Sequence, residues 1–407
     1  MIARILTVVT LLLVPCGLTR AAQVGPAVDV APKAEETRSQ LLASVAWCEG
    51  AKCWLVVWRE GYLNEDSSDI WCARVSADGR ALDPAGVRLT TGPGLKDRPV
   101  AASDGKGFLV AWQAMGDSAD AKTQGWDVYG VMVSADGTPA SARGFLIAGG
   151  AHNQCRPTAA FCGGGYHVAW MGFDRGYGIY GRRVSPDGRL PDSAPLELDL
   201  AQGRNVAISP VLGAHADTLR LVTSTNPIKG SEWSLWIKAL DPAGGRPVGS
   251  SKAKKHVART EPNLVRGGRT PAFAVGEKES MLAIYNNFPK CRGVMILRAD
   301  PAGAFTKREK ADPDLSDRQA CAYDGTNYVL VADCIRQDRK RVWPKSTVNG
   351  WVVTPDGTPG SGFLVSEGST ANCLSPAAAG GPAGCVLAVY SEFRGSDDTK
   401  VVARIVR

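Results

Sequence analysis

One motif, written several times, constrains this chain more than any other feature. DIWCARVSADG runs from Asp69 to Gly79, DVYGVMVSADG from Asp127 to Gly137, and GIYGRRVSPDG from Gly178 to Gly188. A fainter VNGWVVTPDG ends at Gly357, and degenerate copies are SLWIKALDPAG (Ser234 to Gly244) and GVMILRADPAG (Gly293 to Gly303). A last copy, TKVVARIV, begins at Thr399. Two segments precede each copy. The first is short, apolar and often opened by proline, at Pro99, Pro157, Pro210, Pro262 and Pro376; SVAWCEG (from Ser44) and QACAYDG (from Gln319) fill the slot without it. The second is a run such as WLVVW at Trp58, FLVAW at Trp112 or YHVAW at Trp170. From Ser44 to Pro99 is 55 residues, then 58, 53, 52, 57 to Gln319, and 57 to Pro376. Seven slots at such a period signal a propeller or a solenoid.

The segments are rich in Val, Ile, Tyr and Trp and often alternate, which predicts strands. The (S/T)-x-D-G ends predict hairpin turns, because Asp and Gly tolerate positive φ. A fourth short strand follows: GVRLTT (Gly86), GFLIAG (Gly144), PLELDL (Pro195), GFLVSE (Gly362). Four antiparallel strands per unit make a blade, so the prediction is all-β, a seven-bladed β-propeller. The last motif copy stops at Arg407, leaving blade seven one strand short. PAVDVAP (Pro26 to Pro32) has the shape of a fourth strand and is expected to complete that blade and close the ring, removing its open edges.

The VAW, DIYG-like and VSxDG segments resemble the repeats of secreted bacterial propeller proteins, over nearly all of residues 22–407 and best in blades one to three. That resemblance implies a fold and export. Many such relatives have no assigned activity, so no catalytic residue is carried over. Kelch and WD40 propellers share the architecture, but neither the di-glycine pattern of kelch nor the WD ending occurs as a set. The (S/T)-x-D-G turns match sialidase Asp-boxes only loosely and read as turns.

Arg4 followed by an apolar run from Ile5 to Pro15, with small residues around Ala21, predicts a signal peptide over 1–21. A lipoprotein signal at Cys16 fits less well, because Pro15 precedes it. Residues 22–407 then form a single propeller domain, secreted, periplasmic or in the cell envelope, with no integral membrane segment after cleavage. Ten of eleven cysteines lie beyond the signal, an even number that suits an oxidising compartment. Cys48 and Cys53 bracket a short turn and are the disulfide candidates. Cys155 and Cys162 fall on one strand and should not pair with each other. The net charge of +7 is mild for 407 residues and gives no argument for nucleic acid. The basic runs KAKKHVAR (Lys252 to Arg259) and RQDRKRVWPK (Arg336 to Lys345) read as solvated loops.

Catalytic signals are thin. Four histidines show no HExxH spacing, and no GxSxG or P-loop occurs. No metal site or cofactor is expected. Glu65 and Asp174 are one acid pair that a glycosidase mechanism would need, but nothing selects them. The loops between second and third strands differ widely in length and charge, whereas the (S/T)-x-D-G turns on the other face are uniform; that contrast suits a binding face on a fixed scaffold. Arg98, Arg156 and Arg318 stand just before inner strands. Their planar forks suit carboxylate, sulfate or phosphate, or they pair with Asp97 or Asp317. Trp126, Phe173, Tyr177, Trp233 and Trp343 are loop aromatics, of the kind that stack on sugars. Trp58, Trp112 and Trp170 recur at one strand position and read as packing between blades. The expectation is a monomeric binding module for an extracellular glycan or protein surface. The alternatives are a polysaccharide-active glycosidase or lyase, and a structural envelope protein.

Overall fold

Each repeat folds as one four-stranded antiparallel sheet, and seven such sheets form the propeller. The computed structural model describes residues 22–32, 39–61, 67–115, 125–173, 177–200, 205–227, 233–248, 256–260, 271–286, 293–301, 303–311, 315–335, 345–395 and 398–407. The predicted signal segment, Trp343, Glu65 and Asp174 lie outside them. Blade two is typical: Leu95–Ser103, Gly107–Met115, Asp127–Ser134 and Phe145–Ala148, hydrogen-bonded in that order. The other inner strands are Gln40–Cys48, Gln154–Cys162, Asn205–His215, Ala272–Val275, Leu315–Tyr323 and Asn372–Gly380. No helix occurs among the described residues, so none there is long and apolar enough to cross a membrane.

Sequence spacing misplaces one strand. Among the described residues the inner strand of blade five is Ala272–Val275, the hairpin partner of the strand that begins at Ser280, whereas Pro262 lies outside the described residues. Its Phe273-Ala274-Val275 core sequence is too short to stand out against the P-x-L-V match upstream, which falls in the segment outside the described residues.

The ring closes as expected. Val28–Asp29 pairs antiparallel with the last strand, Thr399–Val406, and becomes the fourth strand of blade seven. The amides of Gln23 and Gly25 donate to the carbonyls of Arg407 and Ile405 at 2.8 Å each, and Arg407 N donates back to Gln23 O at 2.9 Å. Val30 and Ala31 then bury completely between blades seven and one.

The core is seven separate layers, one between each pair of neighbouring blades. This follows from strand chemistry: alternate side chains face opposite sides of a blade, so each blade contributes to two layers. Trp58, Trp112 and Trp170 are buried in three successive layers, as their recurrence predicts. Their bulk explains the glycine that opens the fourth strand. A Cβ on Gly144 would lie 2.6 Å from Cη2 of Trp112, and Gly86 sits under Trp58 and Trp71; both have φ near +70°. In the (S/T)-x-D-G turns the serine or threonine hydroxyl donates to the aspartate carboxylate, as in Ser185 to Asp187 at 2.5 Å. The glycine takes φ of +83° to +87° in all four copies.

Candidate functional site

The seven inner strands surround a channel. A cavity of about 610 Å³ runs within it, touching every blade through small residues such as Ala101, Ala159, Gly213, Ala274 and Ala378. It ends toward the turn face at Phe161, His215 and Tyr323, where the histidine and tyrosine rings meet edge-on at 5.3 Å. Sequence reasoning missed this lining, because single alanines within strands carry no distinctive signal. Its wall offers few convergent polar groups, so it is a poor candidate for specific polar recognition.

The polar site lies toward the other mouth. Strand direction alternates within a blade, so the second-to-third loops and the connections between blades share this face. Here the inner strands carry a repeated β-bulge. Pairing skips between Asp97 and Val100, Cys155 and Thr158, Ile208 and Val211, and Leu374 and Ala377. In blade one it skips between Leu41 and Ser44. The skipped pairs are Leu42-Ala43, Arg98-Pro99, Arg156-Pro157, Ser209-Pro210 and Ser375-Pro376. In blades one to three they lie opposite Trp58, Trp112 and Trp170. Proline is tolerated because a bulge needs no ladder donor there. Thus the proline of the first segment and the tryptophan of the second are two sides of one feature. The arginines sit inside the inner strands, at the bulge, and not before them.

The first residue of each bulge is left-handed: Leu42, Arg98, Arg156, Ser209 and Ser375 have φ of 53°, 49°, 55°, 53° and 57°. For a residue with a side chain this costs roughly 1–2 kcal/mol. Glycine would avoid that cost, yet none of these five positions uses it. Side chains are therefore retained at this ring against a backbone penalty.

The ring has a hydrogen-bonding pattern. Arg156 Nη1 donates to Ser209 Oγ of the next blade at 3.4 Å. Arg318 donates to Ser375 Oγ of its next blade in the same way. The freed amides are held from the preceding blade: Arg156 N donates to Gln113 Oε1 at 2.8 Å, and Ser375 N to Asp333 Oδ2 at 3.3 Å. Asp333 also accepts from Arg318 N at 3.1 Å. Arg98 breaks the pattern, because the residue in the next blade's bulge is Arg156. Among the described residues its polar contact is Asp97 Oδ2 at 4.0 Å, and its side chain is 41% exposed. Asp97 is shared with the buried Arg59, at 3.7 Å. Burial first, and then the charge of Arg98, hold Arg156 below its ordinary pKa.

The aromatic candidates on this rim gather in the same sector. The Phe173 and Tyr177 rings meet edge-on at 4.6 Å, and Tyr177 is 44% exposed. Trp126 N donates to Asn153 Oδ1 at 2.9 Å, and Trp126 O accepts from Gln154 N at 2.5 Å, which ties this tryptophan to the start of blade three's inner strand. Phe173 lies two residues beyond Met171, the strand partner of Cys155. Arg318 stands apart in blade six. Only the backbone of Trp233 is described.

Other candidates have structural places. His167 is buried, and its Nε2 lies 3.2 Å from Cys162 O and 2.9 Å from Pro242 O, a carbonyl in the next blade's turn. Cys48 and Cys53 are buried thiols directly opposite each other at the hairpin end. Burial pushes the Cys53 thiol up to about 11. Cys155 and Cys162 do share one strand. Among the described residues no group of three His, Cys, Asp or Glu side chains could hold a metal.

The described strands place the chain among β-propellers. No protein-family model matches it, and no curated protein does. Solved structures show the fold. A protein of unknown function from Dyadobacter fermentans is 12% identical, with a TM-score of 0.56 over 95% of this chain and 99% of that one. A lectin from Burkholderia pseudomallei is 13% identical, with a TM-score of 0.56 over 90% and 96%. Trypanosoma rangeli sialidase is 10% identical, with a TM-score of 0.50 over 95% of this chain and 60% of its own.

Proposed function

We propose that the protein is an exported, non-catalytic binding module that takes an extracellular glycan or protein surface on its loop face. One observation carries this reading: the rim of blades two and three brings Arg98, Arg156, Trp126 and the Phe173–Tyr177 pair into one sector. An exposed tyrosine ring, half-buried aromatic neighbours and guanidinium groups are recognition chemistry. The carboxylates described at the mouth serve the scaffold, with Asp333 holding two bulge amides and Asp97 beside Arg59, Arg98 and Gln113. The likeness to a lectin supports the scaffold as one that a lectin uses. Among the described residues, the exposed large hydrophobic side chains Leu82, Leu146, Val248 and Leu364 stand singly on blades one, two, four and six, and Tyr177 and Leu200 share blade three, which weighs against an extended apolar assembly patch. Export rests on the apolar run from Ile5 to Pro15.

A glycan-array screen of residues 22–407, with the eluates checked for released sugars, tests the reading. Binding without release supports it. Release of sugar overturns the non-catalytic part in favour of a polysaccharide-active enzyme. Silence on the array turns the search to a protein partner.

A further inference from the structure

We infer that the turn-face end of the central channel binds a quaternary ammonium ion, at a site separate from the loop face and independent of the reading above. Three half-buried rings line that end, Phe161, His215 and Tyr323, from blades three, four and six. The His215 and Tyr323 planes stand at 81° to each other with centroids 5.3 Å apart, like two adjoining walls of a box. Tyr323 is fixed: its hydroxyl donates to Gly325 O at 3.0 Å, and its ring packs on Tyr328 at 5.1 Å. Gly276 of blade five leaves room for both tyrosines, since a Cβ there would lie 2.3 Å from Tyr328 Oη and 3.2 Å from Tyr323 Cε2. Gly325 and Ala383, both exposed, line the same cavity, so this end opens to solvent. Asp324 is the one carboxylate lining the cavity among the described residues. Its Oδ1 accepts from the amides of Thr326 and Asn327 at 2.7 Å and 2.6 Å, and no described donor takes Oδ2. Aromatic rings and one negative charge at the same end of a cavity attract a cation. The wall selects the kind of cation. Its alanine methyls present few convergent acceptors, so a primary ammonium would leave N–H groups unpaired there. A quaternary ammonium has no N–H and presents methyl groups, which suit rings and alanines alike, while Asp324 balances its charge.

The test is calorimetric titration of residues 22–407 with choline. Two analogues serve as controls: 3,3-dimethylbutanol, which has the same shape without the charge, and ethanolamine, which has the charge with N–H donors. Phosphocholine is the fourth probe, to tell a free cation from a head group. The inference predicts that choline or phosphocholine binds about tenfold or more tightly than either control. Tighter binding of phosphocholine than of choline would support the site and name a head group as the source of its ligand. Asp324→Asn removes the charge, yet its amide oxygen can still accept from Thr326 and Asn327. Phe161→Leu removes a ring and keeps an apolar side chain. Each should weaken binding severalfold, and an unchanged melting temperature of Asp324→Asn confirms that this variant folds. Equal binding of choline and dimethylbutanol, ethanolamine bound as tightly as choline, binding unaffected by Asp324→Asn, or no binding of either quaternary probe at millimolar concentration overturns the inference. None of these outcomes bears on the loop face, which the glycan array tests separately.

Discussion

Arg394 grips Asp29 with both ends of its guanidinium, at 3.1 Å and 2.6 Å, so the loop after the second strand of blade seven holds the N-terminal strand. Both side chains are about one-third exposed, and an exposed ion pair contributes roughly 0.2–1 kcal/mol. The strand itself does more, through its backbone bonds and the burial of Val30 and Ala31. Asp29→Ala should therefore cost less than about 1 kcal/mol. Deleting residues 23–32 should cost on the order of 5 kcal/mol. Denaturant melts of the two variants check this. Equal stability of the deletion and the full chain would contradict ring closure by this strand.

Trp112 is buried between blades one and two, whereas Leu146, on the fourth strand of its own blade, is 47% exposed. Trp112→Ala should lose about 3–5 kcal/mol, and Leu146→Ala should stay within about 0.5 kcal/mol. Chemical denaturation of both variants tests the layered core.

His167 gives a pH dependence. Burial holds its pKa below the ordinary 6.5, and the carbonyls of Pro242 and Cys162 offset that only in part. The unfolded chain takes up a proton as pH falls through 6.5, while the folded chain resists. Stability should therefore be fully present above that pH and fall as pH drops toward the lowered folded value. The slope from this group is at most about 1.4 kcal/mol per pH unit. His167→Gln, whose amide can still donate to Pro242 O, should flatten the profile between pH 7 and 5. An unchanged slope would contradict this role.

Cys48 and Cys53 are register partners, so their Cα atoms lie at about 4.5–5.5 Å. A disulfide accepts about 4.4–6.8 Å. Refolding with oxidised glutathione should join them, and a loop this short should gain about 2 kcal/mol. Non-reducing peptide mapping reads the bond. Finding Cys53 joined to another cysteine, or free under those conditions, would contradict it.

The sequence made the scaffold legible because each blade repeats a side-chain pattern with a fixed physical job. Trp58, Trp112 and Trp170 fill layers between blades, and Gly79, Gly137 and Gly188 turn the chain. The pattern fails where those jobs are done by shorter or smaller residues, as at Phe273–Val275 in blade five. The site was legible as residue types and not as an arrangement. Arg98, Arg156 and Trp126 can be picked out singly. That Arg156 bonds to Ser209, while Arg98 has an arginine at the matching bulge position of the next blade, depends on the bulge that aligns neighbouring blades, and no local pattern encodes that juxtaposition.

Hydroxyl-radical footprinting of residues 22–407, with and without the best array ligand, tests most directly where this propeller binds. The account predicts protection of Trp126, Phe173 and Tyr177 on the loop face, with residues 76–79, 134–137 and 185–188 on the turn face unchanged. Protection of the turn face, with those three rings still fully reactive, would contradict it.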